Sequence, residues 1–264
     1  MNGTYRQCPK CGHQPAVPMQ ARGECPACGV IFRKWLAAQA ALEAGEPPPV
    51  SASRRLAADE PSLWRAHGAE LLAGLLTPLP GMAPATFYGR CAALVFIALW
   101  GLRLIAMDYR DGEIFSSFIH NIVLPIHEAG HVFFMPFGEF LTILGGSFFQ
   151  VALPLGIGIA FVVKNRDNFG AAICLWWVGA SLLDLAPYVY DALQPQLMLL
   201  GGHTGEDGPH DWIYLLDSIG QRNRAQGWGT FVHTLGAGVL LAGLAWGANV
   251  LWRQRQQLDI AALD

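Results

Sequence analysis

Two groups of residues in this chain could do chemistry. His127 and His131 flank Glu128 in the run His127-Glu128-Ala129-Gly130-His131. On a helix the two histidines stand at i and i+4, project from one face, and lie close enough to share one metal ion. Zinc favours imidazole nitrogen in tetrahedral sites, and a catalytic site keeps one position open for water. A carboxylate placed as Glu128 is can take a proton from water there. The second group is Cys8, Cys11, Cys25 and Cys28, in two Cys-x-x-Cys-Gly knuckles separated by residues 12–24. Each glycine lets backbone amides turn toward the sulfurs, and two knuckles close a structural Cys₄ zinc site. Two disulfides or a redox dithiol are the alternatives, and the matched knuckles argue against both. Thiolates need a reducing compartment, which puts this segment on the cytoplasmic side.

The surroundings of the two groups differ sharply. From Ile114 to Val163 the only Asp, Glu, Lys or Arg side chains are Glu128 and Glu139. Ionisable residues are costly in a membrane and mark functional sites there. The whole chain of 264 residues is 53% hydrophobic and 14% charged, against about 25% charged in an average soluble domain. Its mean hydropathy is +0.32. These values indicate an integral membrane protein in contact with the lipid bilayer, and a net charge of −3 gives no general argument for nucleic acid. The first thirty or so residues are polar and have no apolar core, so no cleavable signal peptide is expected.

The elements that must position these residues follow from the pattern. Residues 1–35 form the zinc ribbon, and 36–85 a linker with an amphipathic helix. Residues 86–264 form a transmembrane, metallopeptidase-like domain. The expected fold class is mainly α, a polytopic transmembrane helical bundle with a small N-terminal zinc ribbon. Phe32 to Glu43 reads as a short helix, Gly45 to Ser62 as a Pro- and Ser-rich linker, and Leu63 to Leu76 as an amphipathic surface helix. Apolar segments at Thr86–Met107, Phe115–Met135, Phe140–Val163, Phe169–Tyr190 and Trp228–Trp252 are expected to cross the membrane. Five crossings from a cytoplasmic N-terminus would leave Lys164, Arg166, Arg253 and Arg255 outside, against the positive-inside rule, unless one apolar piece is re-entrant.

Two histidines and a water leave one metal position to fill. Asp184 is a carboxylate deep in an apolar segment with no nearby base, and a metal would explain it. His210 and Asp211 compete, in a glycine-rich loop that could fold back over the site. His120, one heptad before His127 and facing roughly the same way, reads as a packing histidine or one that supports the ligands, and His203 and His233 as structural or solvated. Cys91 and Cys174, alone in apolar segments, read as packing residues.

The run from Cys25 to Phe32, Cys-Pro-Ala-Cys-Gly-Val-Ile-Phe, resembles bacterial zinc-ribbon modules, which implies a binding or regulatory role for that segment. The His127–His131 motif, followed by Gly145-Gly146-Ser147 and an apolar run through Pro154, resembles the site-2 family of intramembrane zinc metalloproteases. The resemblance covers about residues 86–190. It implies a membrane-buried zinc, cleavage of substrates in or beside the bilayer, and a third ligand from an aspartate in a later transmembrane helix. That aspartate usually stands in Leu-Asp-Gly; here the position reads Leu183-Asp184-Leu185. The loop ending His210-Asp211-Trp212 also resembles one shared by a group of bacterial membrane proteins.

The expected function is therefore a membrane-embedded zinc metalloprotease acting on a membrane protein or peptide. Its Zn²⁺ would be held by His127, His131 and preferentially Asp184, with Glu128 as general base and a second, structural Zn²⁺ in the ribbon. The ribbon would recruit or regulate a protein partner, and the expected location is a bacterial inner membrane with the N-terminus cytoplasmic. The alternative is a non-catalytic, metal-stabilised membrane scaffold or adaptor. Nucleic-acid binding ranks last, because the ribbon's Arg6, Lys10, Arg22, Arg33 and Lys34 lack an aromatic platform among them.

Overall fold

The computed structural model describes residues 4–21, 23–45, 70 and 73–261. The expected linker and most of the expected surface helix lie outside them; of the latter, residues 73–76 are helical. The chain divides into two compact units, Met1–Ala69 and Glu70–Asp264.

In the first unit, strand β1 (Thr4–Tyr5) pairs antiparallel with β2 (Met19–Gln20), and helix α1 spans Phe32–Glu43. The knuckle glycines Gly12 and Gly29 have φ of +75° and +64°, the left-handed region that glycine enters without steric cost. Their amides return to the Cys8 and Cys25 carbonyls at 3.0 and 2.8 Å. What these turns enclose is small: Cys8, Met19, Cys25 and Phe32 are the buried apolar residues, with the Tyr5 ring 5.1 Å from that of Phe32.

The second unit is helical: α2 (Pro84–Ala106), α3 (Phe118–Phe134), α4 (Glu139–Ala160), α5 (Asn168–Asp191), α6 (Asp211–Ser218) and α7 (Ala225–Ala261). Among the described residues, four helical stretches are long and apolar enough to cross a membrane. They are Pro84–Ala106, Glu139–Asn165, Asn168–Asp191 and Arg222–Leu258. α5 is the axis of the unit: 72% of its apolar window is buried, against 11% for α2. It packs on α7 along a seam of small residues. Gly229, Gly236 and Gly243 recur every seven positions on α7, and Gly179 faces them from α5. A β-carbon on Gly243 would sit 2.6 Å from the Trp176 amide nitrogen, and one on Gly236 2.9 Å from that of Leu183. Lipid tails are as apolar as leucine, so helices associate in membranes through close packing of this kind.

Cross-contacts fix the direction of each helix. Arg90, early in α2, pairs at 2.9 Å with Asp167, which also caps the start of α5. Gly101 meets Trp176 and Leu240, and Tyr109, just past α2, lies against Tyr190 near the end of α5, with ring centroids 5.7 Å apart. α2 and α5 therefore run the same way, from an entry end to a far end. α4 runs back, with Gln150 bonded to the Ser181 carbonyl and Gly158 against Cys174, and α7 also runs back to the entry end.

Expected span Phe115–Met135 takes a different form. α3 is only 17 residues long, about 25 Å, and starts in mid-bundle rather than at either end of the other helices. Its first residue, Phe118, meets Trp100, which packs on Trp176 in the middle of α5. Its other end meets the start of α4, where His131 Nδ1 lies 2.8 Å from the Thr142 carbonyl. The chain thus leaves α2 at the far end, dips inward through residues 110–117, and climbs back out along α3. In place of five crossing segments there are, among the described residues, four helices long and apolar enough to cross, and a shorter one that starts in mid-bundle.

Candidate metal and catalytic site

Contact between α3 and α4 builds the first half of the site, and glycines set it. Gly130, inside the histidine motif, has no side chain because the backbone of Gly145 occupies that space. Gly145 faces Gly130 in return and lies under the Phe134 ring. One residue on, a β-carbon at Gly146 would lie 2.5 and 2.6 Å from Nε2 of His127 and His131. Only glycine leaves both imidazoles room. Gly145-Gly146-Ser147 is therefore the negative imprint of the histidine motif.

The two rings are oriented from behind. His127 Nδ1 is 2.7 Å from Gln150 Oε1, and Gln150 is itself fixed, donating from Nε2 to the Ser181 carbonyl at 3.0 Å. His131 Nδ1 donates to the Thr142 carbonyl at 2.8 Å. Both Nδ1 atoms face oxygen acceptors, so both carry the proton, and both Nε2 atoms present lone pairs to the front. Metal-ligating histidines are held in this way.

α6 and the loop before it bring the third group. Asp211 Oδ2 lies 3.0 Å from His127 Nε2 and 3.2 Å from His131 Nε2. Three acceptors facing one another at this distance repel unless a cation lies among them. A tetrahedral ion with bonds of about 2.0–2.1 Å separates its ligand atoms by about 3.3 Å, and the observed edges fit. The Asp211 amide donates to Tyr188 Oη at 2.9 Å, and the neighbouring Trp212 indole donates to Ser147 Oγ at 3.1 Å. The loop is thereby pinned to both α5 and α4.

Glu128, with His127 and His131, forms a group whose ligand atoms all lie within 4.8 Å of one another. Its carboxylate makes no hydrogen bond among the described residues and lines a cavity of about 330 Å³ together with His120, Asp184, Tyr188, Leu199 and His203. A partly exposed carboxylate beside the two imidazoles can exchange protons with water in that cavity.

The other expected residues have different partners. Asp184 lies in the same cavity, but Oδ1 is 3.0 Å from His120 Nδ1, and the Phe115 ring stacks on that imidazole at 4.5 Å. It belongs to a His120–Asp184 pair at the inner end of the cavity, while Asp211 faces the two motif histidines. His210 is buried as a support: Nδ1 caps α6 by accepting from the Ile213 amide at 3.3 Å. Its Nε2 is 3.4 Å from Asp191, and its ring lies on Tyr188 at 4.3 Å. His203 bonds the Thr204 carbonyl, and His233 stacks on Tyr109. Gln150, Trp212 and the bond between His120 and Asp184 were not anticipated; the run His210-Asp211-Trp212 was the available signal.

In the first unit the four expected cysteines converge. All four sulfurs lie within 4.8 Å of one another, with Cys8–Cys28 at 3.9 Å and Cys11–Cys25 at 3.8 Å. Sulfurs around a tetrahedral ion at about 2.3 Å are separated by about 3.8 Å. All six cysteines of the chain are unbridged.

No family model matches the chain, and neither does any curated protein or solved structure.

Proposed function

We propose that the protein is a membrane-embedded zinc metalloprotease whose ion is held by His127, His131 and Asp211, with Glu128 as general base. The observation that supports this most is the trio of facing acceptors: two Nε2 lone pairs and one carboxylate oxygen, 3.0 and 3.2 Å apart, with both Nδ1 protons committed behind them. A divalent ion held by these residues would supply Lewis acidity, polarising a carbonyl and making nearby water more acidic. Glu128 takes the proton from that water and returns it to the departing amine, so one carboxylate serves as base and then as acid. Tyr188 accepts from the Asp211 amide, which leaves its own O–H available to donate to an oxyanion in the cavity. His120, held by Asp184, presents its other ring nitrogen as a second polar group for a substrate backbone.

On this reading the Cys₄ ribbon holds a structural zinc, lies in the cytoplasm of a bacterial cell, and serves as a docking or regulatory module for a protein partner. The bundle sits in the inner membrane with the N-terminus cytoplasmic.

The test is turnover against metal content. The purified full-length protein in detergent is incubated with an unfolded model polypeptide, and Glu128→Gln is compared with the parent. The parent is expected to cleave it, and the variant to lose about 10²–10⁴-fold in rate while retaining its metal. Equal behaviour of the two, with metal bound in both, would instead make the chain a metal-stabilised scaffold.

A further inference from the structure

We infer that the catalytic cavity opens on the extracytoplasmic face of the membrane, so that its substrates are polypeptide segments lying at the outer bilayer surface. The inference rests on the proteolytic reading for the word substrate, and on helix directions together with the basic residues at the helix ends for the side.

The re-entrant course of residues 107–137 is the decisive feature. Because α3 does not cross, α4 leaves the far end and delivers Lys164 and Arg166 to the entry end. α7 likewise returns there with Arg253 and Arg255. Arg90, paired with Asp167, lies at that end too. Within the helical unit Arg90, Lys164, Arg166, Arg253 and Arg255 fall at the entry end, and at the far end Arg103 and Arg222 are paired with Glu113 and Asp217 beside Arg110 and Arg224. Lys and Arg in short flanking segments set orientation and accumulate in the cytoplasm. The conflict raised by five crossings disappears with four, and the entry end is the cytoplasmic one. The Cys₄ knuckles call for a reducing compartment, which agrees with a cytoplasmic N-terminus.

The site lies at the other end. His131 meets Thr142, one turn into α4 from the far end, and Asp211 meets Tyr188, one turn before α5 finishes there. Leu199, Leu200, His203 and Pro209, from the loop joining the far ends of α5 and α7, form the outer wall of the cavity. That loop carries Glu206 and Asp207, both exposed, on the outside. From the inner side a polypeptide reaching Glu128 would have to pass Phe115 and the His120–Asp184 pair, which line the cavity toward mid-bundle. From the outer face it meets only the loop. An apolar stretch entering from the outer surface, where Met198 and Leu200 stand exposed beside the cavity, matches the chemistry of the wall.

The experiment is thiol labelling of the full-length protein in intact cells of a bacterial host, with a membrane-impermeant maleimide. Glu206→Cys is expected to react in intact cells. Lys164→Cys, on the turn between α4 and α5, and the native knuckle cysteines are expected to react only after permeabilisation. Labelling of Glu206→Cys that requires permeabilisation, or of Lys164→Cys without it, overturns the inference. The readout needs no turnover. Failure of the protease reading would leave it standing, and a reversed labelling pattern would leave that reading intact while moving the substrate to the cytoplasmic side.

Discussion

The two metal-type clusters of this protein are built in opposite ways. The Cys₄ cluster draws its donors from one short stretch, on two turns whose glycines take positive φ. The second cluster takes two donors from α3 and a third from α6, 84 positions from His127 in sequence. It depends on α4 as well, which contributes no donor but clears the space with Gly146 and orients the rings with Gln150 and Thr142. The first cluster is a property of its own sequence, with almost no apolar core around it. The second is a property of packing, because it exists only where three helices and a loop have already met. A local site should need its ion to fold, and a packed site should survive the ion's removal.

Breaking the packing is expected to have the largest effect. Gly146→Val pushes a branched side chain into both imidazoles and should abolish metal binding by the helical unit while leaving the ribbon loaded. Metal analysis of the purified variant, with helical content measured by circular dichroism, checks it. Cys25→Ser is the mirror experiment: it should empty the ribbon and leave the membrane site filled.

Chelation comes next. In the full-length protein, chelator should remove hydrogen-exchange protection from residues 4–43, since metal binding is folding free energy for so small a unit. α5 and α7 should keep theirs, because their seam of glycine contacts involves no ion. Protection lost equally from both units would erase the distinction.

A smaller effect is expected at the clamp. Trp212→Phe keeps the ring but removes the hydrogen bond to Ser147 Oγ. Groups that orient ligands from behind are worth about 10–100-fold in metal affinity, and the variant should fall near the lower figure because Tyr188 still holds Asp211. Metal competition titration against a calibrated chelator measures it.

This contrast also explains what could be read before the fold was known. The ribbon was legible because its donors, knuckle spacing and glycines all lie in one window of sequence. His127, Glu128 and His131 were legible for the same reason, being one turn of one helix. The apolar runs gave three of the long helices to within two residues, while the last, expected at Trp228–Trp252, is the middle of a longer helix, Ala225–Ala261. α3 misled, since an apolar run of span length reads the same whether it crosses or re-enters, and only Phe118 meeting Trp100 reveals that it starts in mid-bundle. Asp184 and Asp211 were both in view. Nothing local distinguishes them: Asp184 has a reason to need a partner, and that partner is His120, which read as a packing residue. Gly145 and Gly146 stood out as too small for a lipid-facing helix, but their purpose appears only with the imidazoles against them.

The central claim is that Asp211, and not Asp184, completes the metal site with His127 and His131. It is tested most directly by metal stoichiometry of Asp211→Ala and Asp184→Ala, both in the full-length chain carrying Cys25→Ser so that only the membrane site is read. Asp211→Ala should lose the ion, and Asp184→Ala should keep it, with affinity lowered at most modestly. If Asp184→Ala loses the metal and Asp211→Ala retains it, the trio of acceptors is not the binding site and the account fails.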